Sequence, residues 1–197
     1  MPWEEDDGRR IESLEIEGFF AVVERRANAP TVSEEELHRQ HSLVLRVSEA
    51  VPAVIPARFG SLLAASELAA ILRQRKELIS TTLDHVRGNV QMTLRMPGGP
   101  ASASEASTAS GRDYLLRRRD ELVPGLSPEG QTTLRELRVF ILDERRKPAD
   151  RGTVTIYHLI NRKDVKDYRD TVMSAARTGI AVSGPFAAFA FAPDLFA

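Results

Sequence analysis

The sequence predicts an α+β protein made of two small domains, and three observations carry that prediction. The stretch 51–96 holds a turn, a long amphipathic helix and an alternating strand back to back. Helical and extended patterns interleave through both halves of the chain. One run, 97–110, is built almost entirely of glycine, proline, alanine and serine, with too little apolar area to offset the cost of ordering it. The expected domains are 11–87, an α+β unit, and 88–197, a second α+β unit whose loop 97–110 is flexible.

In order, the residues before Arg10 read as a charged lead-in. Between Ile11 and Glu24 the residues Leu14, Ile16, Phe19, Phe20, Val22 and Val23 favour extended chain, and Gly18 divides them, so either a hairpin or one strand after a turn is expected. Ser33 opens a helix with a capping box, since Glu36 follows three residues on. Its apolar face runs Leu37, His41, Val44, Leu45 and Val51, and Pro52 ends it. In 52–60, Pro56 biases Ile55 towards extended backbone, and Gly60 permits a sharp change of direction. One helix is then predicted over 66–87, capped by Ser66 and stopped by Arg87-Gly88, with Leu68, Ile71, Leu72, Leu78, Ile79, Leu83 and Val86 on its buried face. In the strand that follows, Val90, Met92, Leu94 and Met96 face a core, while Asn89, Gln91, Thr93 and Arg95 face water or a partner.

Beyond the loop, a helix is expected from about Arg112, carrying Tyr114, Leu115, Leu116 and Leu122 beside Arg117, Arg118 and Arg119. A second begins at Ser127-Pro128, an N-cap followed by proline at the first helical position, and presents Leu134, Leu137 and Ile141. The stretch 147–152 reads as turn. Val154, Ile156, His158 and Ile160 alternate with Tyr157 and Leu159 in a strand covered on both faces. Asn161 caps a helix with Val165, Tyr168, Val172, Met173 and Ala176 inward and Gly179 at its end. Ile180, Ala181 and Val182 form a short strand, Ser183-Gly184-Pro185 a turn, and 186–191 a last extended segment. Helices on one face of a small, mostly antiparallel sheet fit this order, and a ferredoxin-like plan is its simplest realisation.

Composition restricts function more than it names it. With 197 residues and 42% hydrophobic content the chain can bury a real core. A net charge of -1 and a pI near 6.5 provide no basic field to recruit nucleic acid or acidic lipid. There is no cysteine, hence no disulfide, thiolate metal site or cysteine nucleophile. The acidic start and the lack of a long apolar run predict a soluble cytoplasmic protein without a membrane span.

No reactive constellation stands out. His38 and His41 lie three apart on a helix, but a metal needs a third ligand, and His41 is on the apolar face while His38 points elsewhere. No Gly-x-Ser-x-Gly elbow occurs, and Gly98-Gly99 lacks the lysine of a phosphate loop. The arginine triplet at 117–119 reads as a solvated helix face rather than a nucleic-acid contact. Arg58, in its Pro-x-Arg-Phe-Gly turn, is suited to satisfying carbonyls or pairing with a carboxylate, in preference to touching a partner. Phe186, Phe189 and Phe191 have two uses open to them, closing a core or offering an apolar edge. No catalytic, metal or cofactor-binding residue is assigned.

Five short motifs stand in order along the chain: Pro56-Ala57-Arg58-Phe59-Gly60, Gly88-Asn89-Val90-Gln91-Met92, the stretch from Gly111-Arg112-Asp113-Tyr114 to Arg119, Tyr157-His158-Leu159-Ile160 leading to Val165 and Tyr168, and Ser183-Gly184-Pro185-Phe186. Over roughly 18–191 this ordered set resembles the GvpL/GvpF family of gas vesicle accessory proteins. Three departures stand beside it: there is no opening Tyr-x-Tyr strand, the charged region between Arg119 and Gly152 is shorter, and the family's Gly-Pro-Trp-Pro-Pro-Tyr-Ser-Phe ending becomes Gly184-Pro185-Phe186-Ala187-Ala188-Phe189-Ala190-Phe191. The resemblance implies a non-enzymatic, cytoplasmic protein of gas vesicle assembly. It would have a ferredoxin-like C-terminal domain and no cofactor, and would bind or chaperone the hydrophobic shell protein alongside other accessory proteins. On that basis the candidate partner-binding residues are Pro56, Arg58, Phe59, Gly60, Tyr157, Gly184, Pro185, Phe186, Phe189 and Phe191. Two alternatives remain, a minor component retained on the vesicle and a diverged ligand-binding or enzymatic α+β domain, the latter favoured by a polar pocket at Arg58 or His158.

Overall fold

The computed structural model describes residues 5–6, 9–98, 126–150, 152–175, 179–193 and 195. Most of the expected loop 97–110 and the whole helix expected from Arg112, with its arginine triplet, lie outside them. The fold is α+β, with five helices and two sheets among the described residues. The chain divides into two compact units, Met1–Asn89 with Phe186–Ala197, and Val90–Pro185. The C-terminal segment therefore groups with the first unit, whereas the sequence places it in the second domain.

The first unit begins with β1 (Glu5–Asp6), β2 (Arg9–Ile16) and β3 (Phe19–Glu24), in that order across one sheet. The expected lead-in before Arg10 is thus corrected to a short strand pairing Glu5 with Arg10 and Asp6 with Arg9. β2 and β3 form the hairpin, in register from Ile11↔Glu24 to Ile16↔Phe19. Glu17 (φ 56) and Gly18 (φ 85) both take the left-handed region, as a tight two-residue hairpin turn requires. The Glu17 carboxylate is held from outside, accepting from Arg73 Nε at 3.0 Å and Nη2 at 2.7 Å.

Helix α1 (Glu34–Ala50) is capped by Ser33, whose Oγ accepts from Glu36 N at 3.2 Å. Its core-facing residues are Leu43 and Val47, continued by Val51, packed with Ile11, Val22 and Val54. The expected apolar face is corrected here, since Leu37 is 44% exposed. The inner stripe of α1 instead carries charge towards the hairpin: Glu36 and Arg39 join Glu24 and Arg26 in a half-buried quartet. A count of apolar residues passes over such a stripe.

The helix predicted over 66–87 is two, α2 (Ala65–Gln74) and α3 (Lys76–Val86), separated at Arg75 (φ -106, ψ 18). The interruption spares the ladder locally, because Arg75 N still donates to Ile71 O and Ile79 N to Arg75 O, each at 2.9 Å. The start also moves. Glu67 reaches back to accept from Ala64 N at 2.7 Å, so the cap is Ala64 and not Ser66. Leu72, Ile79 and Val86 are buried, but Leu78 is 43% exposed. Gly88 (φ 70) ends α3 as expected and donates to Pro52 O at 2.7 Å.

The remaining elements are β4 (Asn89–Pro97), α4 (Pro128–Leu137), β5 (Ile141–Asp150), β6 (Thr153–Asn161), a 3-10 turn (Arg162–Asp164), α5 (Val165–Ala175), β7 (Ala181–Phe186) and a 3-10 turn (Phe189–Phe191). The strands form one antiparallel sheet in the order β5-β6-β4-β7. Ser127 Oγ caps α4 from Gly130 N at 3.1 Å, with Pro128 at the first position. One face of the sheet supplies Val90, Met92, Leu94, Met96, Val154, Ile156 and Ile160, and the helices supply Leu137, Tyr168 and Val172, in a single buried cluster. At ~25 cal/mol per Å2 such burial is the chief stabilising term of this unit.

Several expectations change in these elements. Strand β5 replaces both the helical reading at Ile141 and the turn at 147–152, of which Gly152 (φ 76) keeps the turn. The second face of β4 is not open throughout, for Gln91 and Thr93 are buried, bonded to each other at 3.3 Å, and Arg95 alone of the three is exposed. Met173 on α5 is 69% exposed. Finally, β7 runs through Ser183, Gly184 and Pro185, and the segment after it curls into a 3-10 turn instead of extending.

Candidate functional site

Nine of the ten candidate residues fall into three places. The first is the turn after α1. Pro56 is buried, Phe59 half-buried, and Arg58 and Gly60 exposed. Gly60 (φ 81) makes the bend, and Ser61 closes it by donating to Arg58 O from its N–H at 3.3 Å and its hydroxyl at 2.9 Å. The Arg58 carbonyl thus closes this turn.

The second place is β7. Gly184 has φ 116, and a Cβ built there would sit 2.7 Å from Gln91 O and 3.0 Å from Met92 Sδ, so β4 admits no side chain at this point. The Gly184–Pro185 peptide is cis. The guanidinium of Arg169, on α5, donates to Gly184 O.

The third is the C-terminal segment of the first unit. Phe186 meets His41 of α1 edge-on, with ring centroids 5.6 Å apart. Phe191 is buried at 3% exposure and Phe189 is 40% exposed. The three phenylalanines therefore have three different environments. The tenth, Tyr157, lies in β6 of the second unit. It is half-buried and pairs across strands with Arg145.

Sequence reasoning missed the most polar construction in the core. His158 is fully buried on the helix-facing side of β6. Its Nδ1 lies 2.7 Å from Tyr168 Oη and its Nε2 3.1 Å from Glu144 Oε2. A carboxylate can only accept, so Nε2 carries the proton in the neutral ring and Nδ1 accepts from the tyrosine hydroxyl. The His158 hydrogen bond, helped by Arg146 and opposed by burial, holds the Glu144 carboxyl at about 2. Burial, with Glu144 nearby, pushes the Tyr168 phenol well above its ordinary value. Both imidazole nitrogens are engaged and the ring is enclosed, so His158 has no lone pair to offer a ligand. The alternation of His158 with Val154 and Ile156 was the signal that it faces inward; its partners came from elements the sequence does not align.

The charged quartet of the first unit was also unread. Burial raises the Glu24 carboxyl, and the hydrogen bonds from Arg26 and Arg39 more than reverse that effect. Its cations are likewise stabilised by Glu24 and Glu36. His38 pairs loosely with Glu34 at 3.6 Å on the surface. Among the described residues, no three histidine, aspartate or glutamate side chains gather as a metal cage would require, and no helix is long and apolar enough to cross a membrane.

The comparisons with known proteins agree with this architecture. The crystal structure of the gas vesicle protein GvpF from Anabaena sp. PCC7120 matches over 95% of this chain and 87% of its own, with a TM-score of 0.70 at 16% identity. That of GvpF from Microcystis aeruginosa matches over 95% and 90%, with a TM-score of 0.72 at 13% identity. At such identities the likeness establishes the fold. No curated protein matches by sequence. The profile of the gas vesicle synthesis protein GvpL/GvpF family matches residues 3–193, nearly the whole chain. The chain belongs to the GvpL/GvpF family of gas vesicle synthesis proteins.

Proposed function

We propose that this protein is a non-enzymatic assembly factor for gas vesicles, acting in the cytoplasm and at the growing vesicle. It would hold the hydrophobic shell subunit until that subunit joins the wall, in company with other accessory proteins. A very apolar subunit free in water aggregates through its own unpaired strands, and a protein that covers those strands delays this. The observation that carries the reading is the character of β3. It lies at the margin of its sheet, its sequence is Phe-Phe-Ala-Val-Val-Glu, and Phe20 is 73% exposed. An apolar marginal strand receives an extended segment by main-chain pairing, with an exposed ring as anchor. Phe189, also exposed, and Phe186 beside His41 are proposed as a second apolar contact of the same unit. In the second unit, strand order β5-β6-β4-β7 supports the ferredoxin-like plan, with Gly184-Pro185 fixing β7 on β4.

The test is capture of the shell protein by the tagged chain from cells, compared with Phe20→Ser and with Phe20→Ser/Phe189→Ser. Wild type retains the shell protein and the variants lose most of it while keeping the wild-type circular dichroism. Undiminished capture by the double variant, or normal floatation after deletion of the gene, overturns the proposal.

A further inference from the structure

Strand β3 has a strand neighbour on one side only among the described residues. The hairpin fixes which of its main-chain groups face the other side. A two-residue turn is closed by a pair that exchanges both main-chain bonds, here Ile16 and Phe19, and such pairs recur at every second residue. Phe19, Ala21 and Val23 therefore bond to β2, and the N–H and C=O groups of Phe20 and Val22 turn outward. Side chains alternate as well: Val22 packs with Ile11 and Val47 on the α1 side, and Phe20 shares that face but is 73% exposed. Phe19, Ala21 and Val23, all half-buried, take the opposite face.

We infer that β3 pairs with β3 of a second copy of this chain, antiparallel about a two-fold axis at Ala21. Outward groups must meet outward groups, so the register slides only in steps of two residues. With Ala21 opposite its own counterpart, Phe20 meets the copy's Val22 and Val22 the copy's Phe20, each pair exchanging two main-chain bonds. On the other face Phe19 meets the copy's Val23. Aromatic residues then stand against β-branched ones throughout, a favourable cross-strand pairing, with the small alanine at the axis. The two-fold makes every such contact twice. The same register brings Glu17 level with the copy's Arg25 at both ends, placing opposite charges together at the surface. A step one way sets Phe20 against Glu24, whose carboxylate Arg26 and Arg39 already hold; a step the other way leaves Val22 against the turn at Gly18.

The pairing covers Phe20 and satisfies an edge that otherwise templates aggregation. The inference rests on the reading of β3 as a receiving edge and gives that edge a second occupant. The copy holds the border until a client strand displaces it.

Sedimentation of the full chain and one introduced cysteine test it, since the chain has none of its own. Wild type shows an about twofold rise in weight-average mass as its concentration is raised. Phe20→Lys, which sets a charge at the junction, keeps the wild-type circular dichroism and stays monomeric. In Ala21→Cys the two sulfurs face each other across the axis, in a pair whose Cα atoms lie about 4.5 Å apart, so mild oxidation links most of the protein as a disulfide dimer. Val139→Cys, at a residue 82% exposed in the second unit, links far less. Wild type that stays monomeric throughout, a dimeric Phe20→Lys, or equal linking of the two cysteine variants overturns the inference. A dimer that captures no shell protein supports it and counts against the client reading alone; a monomer that captures shell protein overturns it and leaves that reading intact.

Discussion

At the scale of single residues, the chain Tyr168–His158–Glu144 ties helix α5 to strands β6 and β5 inside an otherwise apolar core. Replacing Tyr168 by Phe removes one buried hydrogen bond and leaves the His158 Nδ1 lone pair unsatisfied; urea denaturation is expected to show a loss of about 1–2 kcal/mol. Acid acts on the other end of the chain. The folded protein holds Glu144 at about 2, below the ordinary 4.5, so its contribution is complete above about pH 4.5 and disappears as pH falls towards 2. The urea midpoint of wild type therefore drops more steeply over that range than that of Glu144→Gln, with about 1–2 kcal/mol at stake after allowing for the carboxylate's partial exposure. Gly184→Ala is the costlier change. Its Cβ meets the Gln91 carbonyl at 2.7 Å and its φ is 116, so a loss of about 2–4 kcal/mol is expected, read from the same denaturation curve. The sequence shows the inward register of His158, because that follows from period two along one strand. It does not show Glu144 or Tyr168 as its partners, because those meet it through pairing register and helix packing that no local pattern encodes.

At the scale of elements, the caps at Ser33 and Ser127 were readable, that of α2 was misplaced at Ser66, and edges were the least legible. Ser33 and Ser127 cap their helices as their positions predict, and Ser127→Ala is expected to cost about 1 kcal/mol by urea denaturation, since Gly130 N loses its acceptor. Local chemistry sets such ends, so local sequence reveals them. The helix over 66–87 was legible as helix but not as two, since Arg75 breaks the run without glycine or proline to mark it. Strand β5 escaped altogether. Its central residues, Asp143 to Lys147, are charged and do not alternate, because a marginal strand has one neighbour and one covered face at most. The apolar side of α1 was misplaced for a related reason: Glu36 and Arg39 face the hairpin as partners of Glu24 and Arg26, so polarity does not mark the outside there.

At the scale of the whole molecule, the α+β class and the family were legible from the order of short motifs, several of which have structural roles: Gly60 turns the chain, Gly88 ends a helix, and Gly184 lies against β4. The candidate residues are divided between the two units; in the first Phe189 is exposed, as is Phe20 of the hairpin, and in the second Tyr157 is half-buried. Surface apolar residues of this kind contribute little to folding, so Phe20→Ser is expected to leave stability within about 0.5 kcal/mol of wild type while shell-protein capture falls. Stability by urea and capture by pull-down separate those two quantities.

The margins of the two sheets are spelled in opposite alphabets. β3 ends its sheet in Phe-Phe-Ala-Val-Val, and β5 ends the other in Asp-Glu-Arg-Arg-Lys, with the pairing slipping out of step at Ile141/Asp143 and again at Lys147/Asp150. A greasy strand seeking a template finds a flat run on the first and a kinked, ionic one on the second. On the proposed reading, a shell subunit pairs along the β3 border and finds no such template along β5.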